Sequence, residues 1–444
     1  MTTETVGGTS VSSGNRGEDG RHELAGAVHF HVASPAQLYQ SCRELKSSRL
    51  FYFGIEASMD TTIVPVTISR PDTAYQISIG VGLLRDAGAW AVRTTSRPPG
   101  KVLIVSNRKV CGLYGDKLRS SLADAGYDVS THLIGDGEKY KSLRTTEDTL
   151  SKLSAHRFTR ADTVVALGGG VVGDVAGFAA SVYLRGIACL QIPTTLLSMI
   201  DSSVGGKTGV NSSFGKNLVG SFYQPKGVLV DIETLSTLPR RELTAGFCEA
   251  IKQGAVASKT LFHQTAELLE TYSPGQFRTH LADDLYPARL TRLLADQIGF
   301  KARIVQNDET ESPEDNSPRS RKILNFGHTF AHALEKASNY RRIKHGEAVG
   351  YGIIFAATLS KKLELLGQDE VDLLNGVVHR AGILPAISNT DPSKVVEAFK
   401  HDKKQVGNSL HWVLLRGIGK PVIVPDADIP RSALNSTLRA IIQD

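Results

Sequence analysis

From residue 75 onward, short apolar runs alternate with amphipathic stretches along the first half of the chain. The runs KVLIVS at 101–106 and TVVAL at 163–167 are almost continuously apolar, as strands are when helices cover both faces of a sheet. Because strands and helices alternate here, the sequence predicts a parallel α/β sheet. The other elements predicted in this half are strands at 75–79, 129–134 and 189–193 and helices at 81–92, 110–125, 145–156 and 177–184.

After about residue 240 the pattern becomes mainly helical. Apolar residues recur at helical spacing in 241–256, 285–307, 323–339, 348–366, 370–381 and 393–400, and one late strand is predicted at 411–415. The polar, proline-containing stretch at 309–320 is expected to be an exposed loop. We therefore predict three segments, namely a partly disordered N-terminal extension at 1–70, an α/β domain at 71–240 and an α-helical domain at 241–444.

Composition is that of an ordinary globular protein, with 444 residues of which 41% are hydrophobic and 22% charged. A chain of this length buries a large core without disulfides, so the four scattered cysteines are expected to be reduced thiols in the cytoplasm. No apolar run is long enough to predict a membrane span, and the N-terminus lacks the apolar core of a secretory signal. The chain has a net charge of +6 but no basic stripe interleaved with aromatic residues, and the lack of such a stripe argues against nucleic-acid binding. A positive net charge also suits a small anionic substrate.

A glycine-rich turn, GGGVVGD at 168–174, follows one predicted strand and precedes a helical stretch. It satisfies GxGxxG in the context in which glycines let the backbone approach a pyrophosphate at a helix N-terminus. The acidic ribose-binding residue usual about 20 residues later is missing. A tight turn without a ligand therefore remains an alternative to dinucleotide binding.

Two further segments carry groups suited to polar ligands. In the turn GDGEKYK at 135–141, we expect Glu138 and Lys141 to hold ribose hydroxyls, unless the turn is simply a charged surface loop. The segment 201–217 contains GGKTG, but Asp201 stands where a P-loop requires glycine, so a nucleotide triphosphatase is disfavoured. Its glycines and lysines favour contacts to phosphate or ribose oxygens, and Arg185 upstream adds a further donor.

A candidate metal site comes from the second half of the chain. His328 and His332 are spaced i and i+4 on one face of a predicted helix, His345 opens another helix, and Glu249 lies in a helical stretch upstream. Two histidines and one carboxylate with open positions suit a catalytic Zn²⁺ acting as a Lewis acid on substrate hydroxyls. Histidine pairs on helices also occur without metals. The sequence lacks the HExxH motif, which argues against a metalloprotease. Cys248 is adjacent to Glu249 in the sequence, so it points away from the helix face that carries Glu249 and is not expected to be a ligand.

Several of these segments together resemble the 3-dehydroquinate synthase family. The blocks LGGGVVGD, LRG, IPTTLLSMIDSSVGGKTGVN, GKNLVGSF, LPRRELTAGFCEAIK, NFGHTFAHALE, KHGEAVGYG and HDKKQVG occur in that family's order between about Tyr75 and Gly419. The resemblance implies an N-terminal Rossmann-like parallel-sheet NAD domain, a mainly α-helical metal-binding domain, a Zn²⁺ or Co²⁺ ion and a homodimer.

The implied reaction converts 3-deoxy-D-arabino-heptulosonate 7-phosphate to 3-dehydroquinate and phosphate in the shikimate pathway. It proceeds by transient NAD oxidation, phosphate elimination, re-reduction and intramolecular aldol cyclisation. The alternatives are another sugar-phosphate cyclase of the 2-epi-5-epi-valiolone or 2-deoxy-scyllo-inosose synthase type, a metal-dependent alcohol or glycerol dehydrogenase relative, or a paralogue that only binds NAD.

The resemblance also implies site residues. The implied metal ligands are Glu249, His328 and His345. The implied substrate-binding and catalytic residues are Arg185, Asp201, Lys207, Asn217, Lys252, Lys301, Arg321, Asn325, His332 and Lys403, with Lys404 as an alternative to Lys403. The implied nucleotide contacts are Asp136, Glu138, Lys141, Gly169, Gly170, Gly173, Asp174, Thr194, Thr195, Asp201, Lys207 and Lys216.

Within this set, Arg321, Asn325 and His332 together favour dehydroquinate synthase over relatives whose substrates lack a carboxylate. We expect His332, with a near-neutral pKa, to relay a proton at the oxidised hydroxyl. The chain departs from the family pattern in two places. A long insertion separates Glu311 from Arg321, which puts the role of Glu311 in doubt, and Gln253 replaces the usual tyrosine.

Overall fold

The computed structural model describes residues 74–443, except 284, 313, 339–341 and 406–409. The predicted extension at 1–70, with its predicted disorder, lies outside the described residues. The remainder, from Thr73 onward, forms one compact unit. The predicted domain boundary at 240 therefore stays a prediction within this unit.

A parallel sheet of six strands, with the order β1-β8-β5-β4-β2-β3, forms the centre of the first half of this unit. Strands β4 and β5 are buried at every position, which explains their continuous apolar sequences and confirms the predicted parallel α/β sheet. The strands of this half are β1 Gln76–Gly80, β2 Lys101–Asn107, β3 Asp128–Ile134, β4 Thr163–Gly168, β5 Ala188–Pro193, β6 Lys207–Ser212, β7 Gly215–Phe222 and β8 Gly227–Asp231.

Helices cover both faces of the sheet. Side chains of β2 alternate between the two cores, since Leu103 and Val105 share one with Val175, whereas Ile104 shares the other with Leu118. The helices of this half are α1 Ala87–Thr95, α2 Asp116–Asp124, α3 Leu143–Ala155 and α4 Gly170–Val182. Helix α4 begins earlier than the predicted start at 177, because the glycine turn leads directly into it.

The hairpin formed by β6 and β7 was not predicted from the sequence. It is antiparallel and lies against α4, where a Cβ on Gly177 would approach Thr208 Cγ2 to 2.5 Å. Gly209 and Gly220 lie opposite each other, and a Cβ on Gly220 would come within 2.1 Å of the Thr208 carbonyl oxygen. Glycine at these positions permits the close approach, and the same glycines hide the alternation that identifies a strand.

The second half is mainly helical, as predicted. One predicted helix, at 323–339, is two elements, because Gly327 adopts a φ of 77° between the 3₁₀ segment Arg321–Asn325 and the next α-helix. A short antiparallel pair, β9 His411–Leu415 and β10 Pro421–Pro425, completes this half, and none of its described helices is long and apolar enough to cross a bilayer. The helices are α5 Arg240–Ala257, α6 Lys259–Thr271, α7 Tyr286–Asn307, α8 His328–Ala337, α9 His345–Lys362, α10 Gln368–Ala381, α11 Pro392–Gln405 and α12 Arg431–Gln443.

Candidate active site

A cleft of about 1060 Å³ opens at the carboxyl ends of the sheet strands and extends to the helices of the second half. Gly169 and Gly170, after β4, lie on one side of it, and His332 and His345 lie on the other. Ligands of open parallel sheets bind at this edge. The cleft therefore brings the candidate nucleotide turn together with one candidate metal ligand, His345.

The three candidate metal ligands converge from three helices. Glu249 lies in α5, His328 is the first residue of α8 and His345 is the first residue of α9. The Oε1 atom of Glu249 lies 3.6 Å from His328 Nε2 and 3.4 Å from His345 Nε2. Two ligands bound about 2.05 Å from a tetrahedral Zn²⁺ are separated by about 3.4 Å, so these residues fit such an ion.

The second ring nitrogen of each of these histidines has a partner of its own. His328 Nδ1 lies 3.2 Å from the carbonyl oxygen of Phe326, and His345 Nδ1 lies 3.1 Å from Glu335 Oε2. Such contacts place the proton on Nδ1 and leave Nε2 available for a metal. Sequence reasoning missed Glu335, although it lies two helical turns after His328 on the same face of α8.

Charge around the candidate ligands is tightly balanced. Glu249 is 1% exposed, and this burial by itself disfavours its charged form. Lys252 Nζ lies 2.7 Å from Oε2 of Glu249. The charge of Lys252, together with His328 and His345, outweighs the effect of burial and holds the pKa of Glu249 well below its usual range. Burial lowers the pKa of His345, but hydrogen bonds to Glu249 and Glu335 outweigh this and raise it to about 10. Burial is the main reason that the pKa of His328 falls to about 3.

His332 has a lower pKa than the near-neutral value expected from its sequence context. Its side chain is exposed to the cleft, yet the surrounding protein, and next the charge of His345, lower its pKa to about 4. Its ring centroid lies 5.4 Å from that of His328 and 5.8 Å from that of His345. At neutral pH this imidazole is therefore uncharged, and so low a pKa makes it a weak proton acceptor.

On the nucleotide side, Gly169 and Gly170 line the cleft and pack closely against neighbouring side chains. A Cβ on Gly169 would lie 3.1 Å from Thr195 Cγ2, and one on Gly170 would lie 3.1 Å from Ser202 Oγ. Gly173 has a packing role instead, since a Cβ there would lie 2.8 Å from Gln191 Oε1 in β5. The predicted nucleotide contacts that line the cleft are Asp136, Glu138, Lys141, Gly169, Gly170, Asp174, Thr194, Thr195, Asp201 and Lys216.

The polar side chains on this side are already held by neighbours. Lys141 Nζ forms an ion pair with Asp174 at 2.5 Å and also donates a hydrogen bond to Asn217. Glu138 Oε1 accepts a hydrogen bond from Asn211 Nδ2 at 2.7 Å. These contacts orient donors and a carboxylate toward the cleft, which is the arrangement needed to hold ribose and phosphate oxygens.

Deeper in the site, the predicted substrate residues form buried charge pairs. Lys301 Nζ lies 2.6 Å from Asp201 Oδ1, and Lys252 is 2% exposed beside Glu249. Burial disfavours the charged forms of both Asp201 and Lys301, yet Lys301 keeps the pKa of Asp201 below its usual range. Arg321 is also buried, and its guanidinium donates to the carbonyl oxygens of residues 309 and 205 at 2.8 and 3.2 Å.

The long insertion before Arg321 is held by a carboxylate at its base. Asp308 accepts hydrogen bonds from the backbone N–H groups of Ser312 at 2.8 Å and Arg321 at 2.9 Å. Glu311, inside the loop, has a positive φ and forms an ion pair with Lys207. The loop thus reaches a predicted substrate residue through Glu311.

The predicted site residues with described side chains that do not line the cleft are Gly173, Arg185, Lys207, Glu249, Lys252, Lys301, Arg321, Asn325 and His328. Arg185 is exposed in the 3₁₀ turn that follows α4, and Asn325 is exposed in the 3₁₀ turn before Gly327. Lys403 lies in helix α11, and its side chain is outside the described part of the chain. Their roles stay predictions.

Comparison with known proteins identifies relatives that cover most of this unit. The family model described as 3-dehydroquinate synthase N-terminal matches residues 131–245, and the one described as 3-dehydroquinate synthase C-terminal matches residues 246–405. A 3-dehydroquinate synthase from a Synechococcus strain is 39% identical over 379 residues, which are 85% of this chain and 99% of that protein.

Solved structures of related enzymes share the fold. A 2-epi-5-epi-valiolone synthase from Streptomyces hygroscopicus, with NAD⁺ and Zn²⁺ bound, has a TM-score of 0.73 at 26% identity and covers 85% of this chain and 99% of that one. A 2-deoxy-scyllo-inosose synthase, in complex with carbaglucose-6-phosphate, NAD⁺ and Co²⁺, has a TM-score of 0.69 at 27% identity, with coverages of 83% and 97%. Because the two matching family models span residues 131–405, this chain belongs to the 3-dehydroquinate synthase family.

Proposed function

We propose that this chain is an enzyme that converts 3-deoxy-D-arabino-heptulosonate 7-phosphate to 3-dehydroquinate and phosphate, using NAD⁺ and a divalent cation. Family membership supports the reaction class. The observation that carries the proposal is that one cleft is lined by both the glycine turn and His345, whose Nε2 lies 3.4 Å from Oε1 of Glu249. A reaction that oxidises and later reduces the same substrate needs a hydride carrier and a Lewis acid side by side.

When bound, NAD⁺ removes and returns a hydride, and the cation polarises substrate hydroxyls. Glu249, His328 and His345 would hold the cation, as their spacing permits. The turn at 168–174 and the turn at 135–141 would hold the nucleotide. These roles make the cleft a site for two cofactors and one substrate.

The substrate is anionic, and the proposed contacts match its charges. Lys252, Lys301 and Arg321 are buried cations, and Lys301 pairs with Asp201, which lines the cleft. They would balance a phosphate and a carboxylate shielded from water. Their present partners, Glu249, Asp201 and backbone carbonyls, keep them oriented. His332 lines the cleft beside His328 and His345, and its imidazole would there relay a proton at a substrate hydroxyl.

The test is turnover by purified protein with NAD⁺, Zn²⁺ or Co²⁺ and the heptulosonate phosphate, followed by phosphate release and product identification. We expect phosphate release without net accumulation of NADH, because the same cofactor is oxidised again in each cycle. Activity with sedoheptulose 7-phosphate but not with the heptulosonate would favour another sugar-phosphate cyclase. Net NADH formation with glycerol would favour a dehydrogenase.

We also propose that the enzyme is a cytoplasmic homodimer, as its family resemblance implies. The described helices include none that could cross a membrane, which is compatible with this location. Light scattering of the purified protein would measure its mass in solution, and cell fractionation would measure its location. A monomeric mass, or recovery outside the cytoplasmic fraction, would contradict the proposal.

A further inference from the structure

The carboxylate of Glu335 lies between a proposed metal ligand and a lysine on the nucleotide side of the cleft. Its Oε2 atom is 3.1 Å from His345 Nδ1, and its Oε1 atom is 3.3 Å from Lys216 Nζ. The side chain is 8% exposed, so this charge is largely shielded from water. Each oxygen thus serves a different partner, and the residue bridges the two halves of the site.

The contact with His345 is of the kind that tunes a metal site. Glu335 belongs to α8 and His345 begins α9, so the hydrogen bond fixes the ring relative to a neighbouring helix. A carboxylate on the outer nitrogen sets the tautomer, orients the ring and raises the basicity of the inner nitrogen. The corresponding contact of His328 is weaker, because its Nδ1 faces the neutral backbone carbonyl of Phe326 and not a charged carboxylate.

The contact with Lys216 connects the same carboxylate to the nucleotide side. Lys216 lies in β7, lines the cleft and is 33% exposed, so its ammonium is within reach of a ligand there. While it pairs with Glu335, its positive charge reduces the negative charge that His345 experiences. A nucleotide phosphate or ribose that attracts Lys216 would leave more of the carboxylate's charge acting on His345.

We propose that Glu335 is a positioning residue for the metal site and that the Lys216–Glu335–His345 chain couples nucleotide occupancy to metal affinity. The coupling rests on the proposed function, because it requires that NAD⁺ bind beside Lys216. The positioning role does not depend on the nucleotide. The two parts are therefore tested separately.

The first experiment measures metal affinity without nucleotide. Metal-free wild type and Glu335→Gln are titrated with Zn²⁺ against a chelator and with Co²⁺ by visible absorption. We expect the substitution to weaken metal binding by about 10- to 100-fold and to change the Co²⁺ spectrum, with Glu335→Asp intermediate. The matched control is Glu242→Gln, which removes a carboxylate paired with Lys344, the neighbour of His345, but not one that contacts an imidazole. Equal affinities in wild type and Glu335→Gln would overturn the positioning role.

The second experiment repeats the wild-type titration with saturating NAD⁺ and needs no substitution to be informative. We expect NAD⁺ to tighten metal binding by about 5-fold or more, and the metal to tighten NAD⁺ binding by the same factor, since coupling is reciprocal. Lys216→Met and Glu335→Gln should reduce this factor toward one. Lys336→Met, which removes another cleft-lining cation, should retain it.

Bound NAD⁺ that leaves the wild-type metal affinity unchanged would overturn the coupling while sparing the proposed function. Failure of NAD⁺ to bind at all, measured directly by calorimetry, would contradict both. In that case the nucleotide-free titration still decides whether Glu335 positions His345.

Discussion

Arg241 and Glu347 join helices α5 and α9 through two hydrogen bonds, Nε to Oε1 at 2.7 Å and Nη2 to Oε2 at 2.6 Å. Glu347 is fully buried and also accepts a hydrogen bond from the backbone N–H of Lys344 at 2.8 Å. The pair therefore fixes the first turn of α9, which begins with His345, against the helix that carries Glu249.

Replacing Arg241 with methionine leaves the carboxylate of Glu347 buried without its cationic partner. Loss of one partner of a fully buried ion pair costs about 3–5 kcal/mol, and because the Arg241 side chain is 52% exposed we expect about 2 kcal/mol. Urea unfolding measures this free energy. The control is Glu242→Gln, which breaks the ion pair between Glu242 of α5 and Lys344, the residue immediately before α9. The side chains of Lys344 and Glu242 are 37% and 35% exposed, so the loss should be below about 1 kcal/mol. Equal losses would contradict the role of burial.

Replacing Glu249 with glutamine tests the proposed ligand set most directly. The substitution removes the carboxylate that faces both His328 and His345 and leaves Lys252 buried beside a neutral amide. We expect metal affinity to fall by at least about 100-fold, which exceeds the loss typical of a residue that only orients a ligand. Metal content after dialysis and turnover with added Zn²⁺ measure the effect.

Cys248→Ala is the matched control for Glu249→Gln. Cys248 precedes Glu249 in α5, is fully buried, and burial raises the pKa of its thiol above the usual range. A thiol held neutral in an apolar core is a poor metal ligand. The variant should keep its metal, and loss of metal from it would show that the ligand set is wrong.

Much of this architecture follows from local sequence. The continuous apolar runs predicted the buried strands β2 and β4, and the i, i+4 histidines predicted one face of α8. The order of the motifs identified the family. The hairpin β6–β7 escaped prediction, because its glycines remove the alternating pattern that identifies a strand.

Long-range geometry explains what the sequence could not provide. The partner of His345, Glu335, lies in a different helix, and only the packed structure brings the two within hydrogen-bond distance. The low pKa of His332 also depends on desolvation by the surrounding protein and on the charge of His345, neither of which is visible in a motif. The split of the predicted helix at 323–339 depends on Gly327, whose Cβ would meet the backbone of Gly352 at 2.8 Å.

Gln253, which replaces a tyrosine common in the family, is expected to support substrate binding. It is fully buried in α5, and its Nε2 donates to the carbonyl oxygen of Ile200 at 3.1 Å, immediately before Asp201. Replacement by leucine leaves that buried carbonyl without this donor, at a cost of about 1–3 kcal/mol. Because the backbone at Asp201 loses an anchor, KM for the substrate should rise several-fold while metal affinity is unchanged.

Gln297→Leu is the control for the substitution of Gln253. Gln297 is equally buried, and its Nε2 donates to the carbonyl oxygen of Ala250 at 2.9 Å and to Thr265 Oγ1 at 3.2 Å, not to the segment that carries Asp201. It should lose similar stability in urea and keep the wild-type KM. A rise in KM that is the same in both variants would mean that stability alone, and not the anchor at residue 200, governs substrate binding.

Asp308 should make the stability of the inserted loop depend on pH. Burial disfavours its charge, but hydrogen bonds from Ser312, Arg321 and Ser320 prevail and lower its pKa. A carboxyl group whose pKa is lower in the folded than in the unfolded state stabilises the folded protein. This stabilisation is fully present when the pH is above the pKa of the group in the unfolded state, about 3.9, and it is lost as the pH falls through the pKa in the folded state. Asp308→Asn should therefore cost about 1–3 kcal/mol at pH 7 and less at pH 3, as measured by urea unfolding. Glu314→Gln, at an exposed position in the same loop, should cost below about 0.5 kcal/mol at either pH. A loss for Asp308→Asn that does not shrink in acid would contradict the assignment of Asp308 as the charged anchor of the loop.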